Sequence, residues 1–232
     1  MASVDRLASR RELKGRSRGA LLSLYAAGFT TAFAAHAVAA NLAGYGSSRG
    51  ASLYDLGVLL ALYDGAEVIL KPLFGALSDR IGPKLVLLGG LVAFSGASAL
   101  FVLAREPDAL GLARFAQGTA AAAFSPAAGA LVSSLGASRR GSSFGGYGAA
   151  KGLGYVLGPL VAGPLVALGG YSLLFALLAG LGIVVALAAV VNVPQTQGFQ
   201  RKRQTVVDFA RRVGSTWLPA SCCGARWSHR RS

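Results

Sequence analysis

Cysteine is nearly absent. The 232 residues contain two, Cys222 and Cys223, and these are neighbours. Adjacent cysteines cannot staple distant parts of a chain, and no metal-ligand spacing accompanies them, so a disulfide scaffold and a zinc module are excluded. Charge is also scarce. The charged fraction is 14%, against roughly 25% for a soluble domain, which disfavours an ordinary cytosolic enzyme. No nucleophile elbow, metal cluster or nucleotide-binding glycine loop is visible. Gly145-Gly146 and Gly169-Gly170 flank apolar runs and follow no strand, so they fail the context test for cradling phosphate. With no ATPase domain and no catalytic constellation, the chain is expected to be neither an enzyme nor the holder of a cofactor.

What is abundant is apolar. Hydrophobic residues make up 53%, glycine contributes 32 residues, and the mean hydropathy is +0.54. Six apolar stretches are long enough to cross a bilayer, approximately 20–42, 56–77, 85–104, 110–132, 144–167 and 172–193. Alanine and leucine dominate them and period-2 alternation is missing, so they are expected to be helices, one of the two structures that satisfy the backbone in lipid. The first stretch is too long for the h-region of a signal peptide, and further spans follow it. The expected fold is all-α: a polytopic membrane bundle over 20–194, a basic segment over 1–19 before it and a basic tail over 195–232 after it.

The net charge of +14 raises the possibility of a nucleic-acid partner, but its distribution argues for topology. Arg6, Arg10, Arg11, Lys14, Arg16 and Arg18 precede the first span. Arg80 and Lys84 lie between spans two and three, Arg139 and Arg140 between four and five, and eight further cations follow the sixth. Only Arg49 and Arg105 fall on the opposite side. The positive-inside rule then places both termini in the cytoplasm of a cell-membrane protein. No aromatic-interleaved basic module supports nucleic-acid binding.

Few ionisable groups remain inside the spans: His36, Asp64, Glu67, Lys71, Arg114 and Lys151. Each costs several kcal/mol at such depth unless it is paired or wetted, so each marks function or a structural ion pair. Asp64, Glu67 and Lys71 share a 60° arc of helix two. One of the carboxylates can serve as a proton carrier in a wet cavity; alternatively Glu67 and Lys71 form an ion pair that fixes helix rotation. His36 is either a proton-exchanging group of the coupling machinery or a hydrogen-bonded packing residue. Lys151 either attracts anions or reaches the interface.

Between spans two and three runs Gly75-Ala-Leu-Ser-Asp79-Arg80-Ile-Gly82-Pro83-Lys84. Gly82 suits a tight reversal, and Asp79 can meet helix N-terminal amides or Arg80. This stretch resembles the cytoplasmic loop motif Gly-x-x-x-Asp-Arg-x-Gly of the major facilitator superfamily, with Pro83 in place of one basic residue. Arg114-Phe-Ala-Gln117-Gly118 is similar to that family's fourth-helix motif. Gly145, Gly154, Gly158-Pro159 and Gly163 resemble the fifth-helix motif of its drug:proton antiporters, with Ala162 where a glycine is usual. Gly154 and Gly158 form a small-xxx-small pair suited to close packing.

The resemblance covers about 20–194, the N-terminal six-helix half of such a transporter. It implies two inverted three-helix repeats, a substrate cavity at mid-membrane, and a coupling role for Arg114 with Gln117 one turn deeper. The function it implies is secondary active transport of a small molecule, as proton-coupled efflux. The lipid bilayer, protons, the substrate and a second six-helix half (self or other) are the implied partners. A proton-coupled nutrient symporter and a non-transporting half or fragment are the alternatives. Past Gly214 periodicity is lost around Trp217, Cys222, Cys223 and Trp227, so the tail is expected to reflect truncation or a frame shift, or to belong to a natural half that pairs with a partner.

Overall fold

The computed structural model describes residues 2–104 and 106–195, with side chains from Arg18 onward except that of Ser138. Arg105, the cationic side chains before Arg18, and the tail with its tryptophans and cysteines lie outside the described residues. Regular structure among the described residues is helical: α1 (Ala2–Ser47), α2 (Leu53–Ile81), α3 (Pro83–Leu103), α4 (Pro107–Leu135) and α5 (Arg140–Asn192), with a 3-10 turn at Ala137–Arg139.

The boundaries follow from local chemistry. α2 starts in a capping box: the Ser52 hydroxyl accepts from the Asp55 amide at 3.2 Å, and the Ser52 amide donates to Asp55 Oδ2 at 2.8 Å. It ends at Gly82, whose φ of 99° few other residues tolerate, and whose N–H donates to Ser78 O. Pro83 then opens α3 at a position where a missing N–H costs nothing. The residue that breaks the basic pair of the loop motif is therefore a helix starter. Pro107 does the same for α4.

Five continuous elements stand where six spans are expected. The expected segments 144–167 and 172–193 are fused into α5, and the joint is one residue, Gly170, at φ 71° and ψ −178°. That combination is open essentially to glycine alone. The 53 residues of α5 would extend about 80 Å if straight, far beyond a hydrocarbon core of about 30 Å. Instead α5 folds back at Gly170. Its first arm runs alongside α1 in the same direction, with Gly154 against Phe29 and Phe33 and Gly158 against Phe33 and Ala37. Its second arm returns: the Tyr171 ring lies 4.8 Å from that of Tyr45, while Asn192 Oδ1 comes back to 3.8 Å from the Cβ position of Gly19.

The bundle therefore has two distinct ends. At one, Tyr25 donates to Ser143 O and Lys84 Nζ donates to Val190 O at 2.9 Å. At the other, Tyr45 donates to Phe101 O at 2.6 Å beside Tyr171 and Phe175. Between them lie two apolar clusters, one around Phe94, Phe101 and Phe175 and one around Leu87, Leu91 and Leu131. α4 brings buried small residues to both (Ala113, Ala120, Ala127, Ala128), and Gly90 of α3 faces the Phe124 amide, its Cβ position 2.8 Å from that nitrogen. Close backbone approach of this kind is how helices associate where lipid removes the hydrophobic drive.

Four helical stretches are long and apolar enough to cross a membrane: Arg18–Ser47, Pro83–Leu103, Pro107–Leu135 and Arg140–Asn192. α2 is not among them, because Asp64, Glu67 and Lys71 interrupt its apolar run. Large side chains such as Ile69, Leu168 and Val191 stay mostly exposed, an outer surface suited to acyl chains rather than water.

Candidate functional site

The ionisable residues expected inside the spans gather on α1, α2, α4 and α5, and α3 carries none beyond Lys84 at its start. On α2 the Lys71 ammonium donates to Glu67 Oε1 at 2.8 Å, the one ion pair among the described residues. Both partners are partly exposed, so the pair fixes geometry more than it contributes stability. Asp64, one turn away, is exposed and has no hydrogen-bond partner among the described residues. Of the two carboxylates in the middle of α2, Glu67 is thus committed to a lysine and Asp64 is open.

Arg114, one turn from the start of its span, has two readings from the sequence: a coupling role, or a snorkelling or carbonyl-bonded residue that holds the helices together. In the structure it is 2% exposed. Its Nη1 donates to Gln117 Oε1 at 2.9 Å, and its Cζ lies 4.9 Å from the centroid of the Tyr63 ring, a cation–π arrangement. Its Nε and the Gln117 amide nitrogen are buried without partners. Such orphaned donors are costly and mark a place where another polar group is expected. Asp64 is the acid within electrostatic reach of the guanidinium, though not bonded to it.

Gly118 explains the last position of that motif. A Cβ there would stand 2.9 Å from Tyr63 Cα and closer still to its carbonyl oxygen. Glycine lets α4 press against the α2 backbone, and the contact sets the Tyr63 ring over Arg114. On α5, Gly154 and Gly158 do the corresponding work against α1. Ala162 is fully buried there, so its methyl is accommodated where the motif usually has glycine. Gly145 and Gly163 touch nothing within 4 Å, and Pro159 is exposed; these three lie outside the packing face.

His36 is exposed on α1. A carbonyl can only accept, so its Nδ1–H donates to Ala32 O (3.1 Å) and leaves Nε2 facing away. Its ring lies 4.3 Å from that of Tyr155 on α5, tilted at 42°. Lys151, one turn before Tyr155, holds its ammonium 5.9 Å from the same ring, and its stem passes over Gly28 of α1, the Cβ position of which is 3.2 Å from Lys151 Cγ. Tyr147, a further turn back, also packs on Gly28 and has a buried, unpartnered hydroxyl. Glu67 and Tyr155 both lie within electrostatic reach of Tyr147, and Tyr155 within reach of Tyr63.

At the loop motif, Gly75 faces Pro126 of α4 at 3.9 Å, and Gly82 makes the reversal. Asp79 and Arg80 are exposed. The expected pairing of Asp79 with Arg80 is not formed, because consecutive residues project about 100° apart on a helix. Lys84 reaches the end of α5 instead. Two surface cavities, of about 360 and 530 Å³, lie between α2 and α4 and against α3. Neither includes Asp64, Lys71, Arg114 or His36; Asp64 and His36 stand exposed on α2 and α1.

Sequence reasoning missed Tyr63, Tyr147, Tyr155 and Gly28. A signal existed: Tyr147, Lys151 and Tyr155 recur at four-residue spacing beside Gly154 and Gly158, and Tyr63 immediately precedes Asp64.

Comparison with known proteins follows the same lines. The family model described as the Major Facilitator Superfamily matches residues 22–229, a range that runs past Pro194 into the tail. The chain is similar to a "Probable actinorhodin transporter" of Streptomyces coelicolor, 34% identical over 182 residues, which cover 76% of this chain and 30% of that protein. It is also similar to the quinolone resistance protein NorA of Staphylococcus aureus, 28% identical over 153 residues, covering 63% of this chain and 39% of NorA. Among solved structures, a peptide transporter POT mutant in complex with sulfate has the same fold, with a TM-score of 0.66 at 22% identity over 84% of this chain and 44% of that one. The chain spans less than half the length of each of these proteins.

Proposed function

The chain belongs to the major facilitator superfamily, and on that premise we propose that it is the N-terminal six-helix half of a proton-coupled exporter of small molecules. Membership places it among multi-pass membrane transporters rather than enzymes. The six-helix reading counts the arms of α5 on either side of Gly170 separately, which gives two three-helix repeats of opposite sense. With Arg18, Lys84, Arg139 and Arg140 at one end of the bundle, that end and both termini face the cytoplasm.

The observation that carries the reading is Asp64. A carboxylate exposed on a membrane-spanning wall, without a bonded cation and within reach of buried Arg114, is placed to take a proton from one side and release it on the other. Glu67 stands beside it, held by Lys71. Arg114, backed by Gln117 and Tyr63, supplies the positive field that a deprotonated Asp64 would answer. The names of two relatives, one for quinolone resistance and one for actinorhodin transport, favour export over uptake.

Proteoliposomes containing the chain, loaded with a fluorescent dye substrate such as ethidium, test this under an imposed proton gradient. Gradient-driven dye movement that Asp64→Asn abolishes is the expected result. Dye movement that Asp64→Asn leaves intact would sink the coupling role. Movement opposite to export assigns a symporter, and movement that appears only with an added second half assigns a subunit.

A further inference from the structure

We infer that Lys151, Tyr155 and His36 form a receiving station for an aromatic anion on the surface where α1 meets α5, a reading that rests on the transporter assignment above. Consider first the charges inside the expected spans. The cations are Lys71, Arg114 and Lys151; the acids are Asp64 and Glu67. Glu67 is bonded to Lys71, and Asp64 lies in the field of Arg114. Lys151 is left with no carboxylate among the described residues. A cation at that depth is costly unless something answers it, and the Tyr155 ring lies 5.9 Å from its ammonium.

The position of Lys151 is built rather than incidental. Its stem lies over Gly28, where a methyl group would stand 3.2 Å from Lys151 Cγ and 2.6 Å from the Tyr147 ring. That notch holds the side chain against α1, on the flank of the Gly154–Gly158 contact. The lysine is only partly exposed, while Tyr155 and His36 present exposed rings 4.3 Å apart. The His36 ring is fixed by its bond to Ala32 O, so the two rings make a defined apolar surface next to a single unanswered ammonium. A ligand with a carboxylate or phenolate on a flat ring satisfies both: its oxygen accepts from Lys151 Nζ, and its ring lies against Tyr155 and His36. A flat cation would meet the ammonium head on.

The test is equilibrium binding to the purified chain in detergent, with 1-naphthoate as the anionic probe and 1-naphthylmethylammonium as its cationic counterpart. The wild type should bind naphthoate saturably and in preference. Lys151→Ala should weaken naphthoate binding by about tenfold or more, the worth of a hydrogen bond to a charged group. Lys151→Arg should keep most of the affinity, and Tyr155→Leu should lower affinity for both probes. Arg49→Ala, at the other end of the bundle, should change it by less than about twofold. Melting temperatures of the variants separate lost binding from lost folding. A preference for the cation, no saturable naphthoate binding, or a folded Lys151→Ala protein with wild-type affinity would each overturn the station. Because binding needs no gradient, these outcomes are distinct from failure of proton coupling, which the dye assay reads alone.

Discussion

Replacing Gly118 by alanine asks whether the contact between α2 and α4 is as tight as the geometry requires. On an exposed helix, glycine to alanine stabilises by about 1 kcal/mol. At position 118 the new methyl would sit 2.9 Å from Tyr63 Cα and 3.0 Å from its carbonyl carbon, where ordinary contact begins at 3.4 Å. These are backbone atoms, so no side chain can swing away, and α2 must shift by about half an ångström or more. Overpacking of this kind costs about 1–3 kcal/mol, which outweighs the propensity gain and lifts the Tyr63 ring from Arg114. Gly129, on the same helix with nothing within 4 Å, is the internal control. Thermal unfolding in detergent, followed by circular dichroism, should show Gly118→Ala melting below wild type and Gly129→Ala at or above it. If both variants gain stability alike, the account of the motif glycine as a close-approach residue is wrong.

Two other outcomes follow from the ends of elements. The Asp55 carboxyl is held below the usual carboxylate range, first by the Ser52 backbone N–H and then by its hydroxyl. The stabilisation is therefore present above the unfolded value of about 3.9 and is lost as pH falls through the folded one; the protection of the Leu56 amide, taken relative to its intrinsic exchange rate at each pH, should fall on acidification, and Ser52→Ala, at a cost of about 1 kcal/mol, should flatten that profile in part, because the backbone N–H remains. Gly170→Ala places a Cβ at φ 71° and ψ −178°, a strain of about 1–3 kcal/mol, and should lower the melting temperature even though nothing crowds the site; an unchanged melting point would show that the joint tolerates other residues.

Much of the architecture could be read without coordinates. Apolar runs of bilayer length, separated by Ser52, Gly82-Pro83 and Pro107, announce their own boundaries because capping and proline chemistry are local. The joint in α5 was harder: Gly169-Gly170 marks a break, but only tertiary packing of Tyr171 and Asn192 against α1 shows that the chain reverses there. At the site, Glu67 and Lys71 were legible because a four-residue spacing fixes who can meet whom. The burial of Arg114 was not, since it depends on Tyr63 from another helix, and a pair of residues on different helices leaves no periodic trace. The same holds for His36 and Tyr155.

The joint at Gly170 has a mechanical consequence. A single residue spans at most 3.8 Å between successive Cα atoms, so the two arms of α5 share a connection with no slack. They can pivot about it, but neither can slide lengthwise past the other. Torque applied to the first arm where its glycines grip α1 must pass into the second arm, and from there through the close contact of Gly182 with Ser95 into α3. A tilt begun where α5 grips α1 is thus delivered to α3 as rotation, with no loop in which it could be lost.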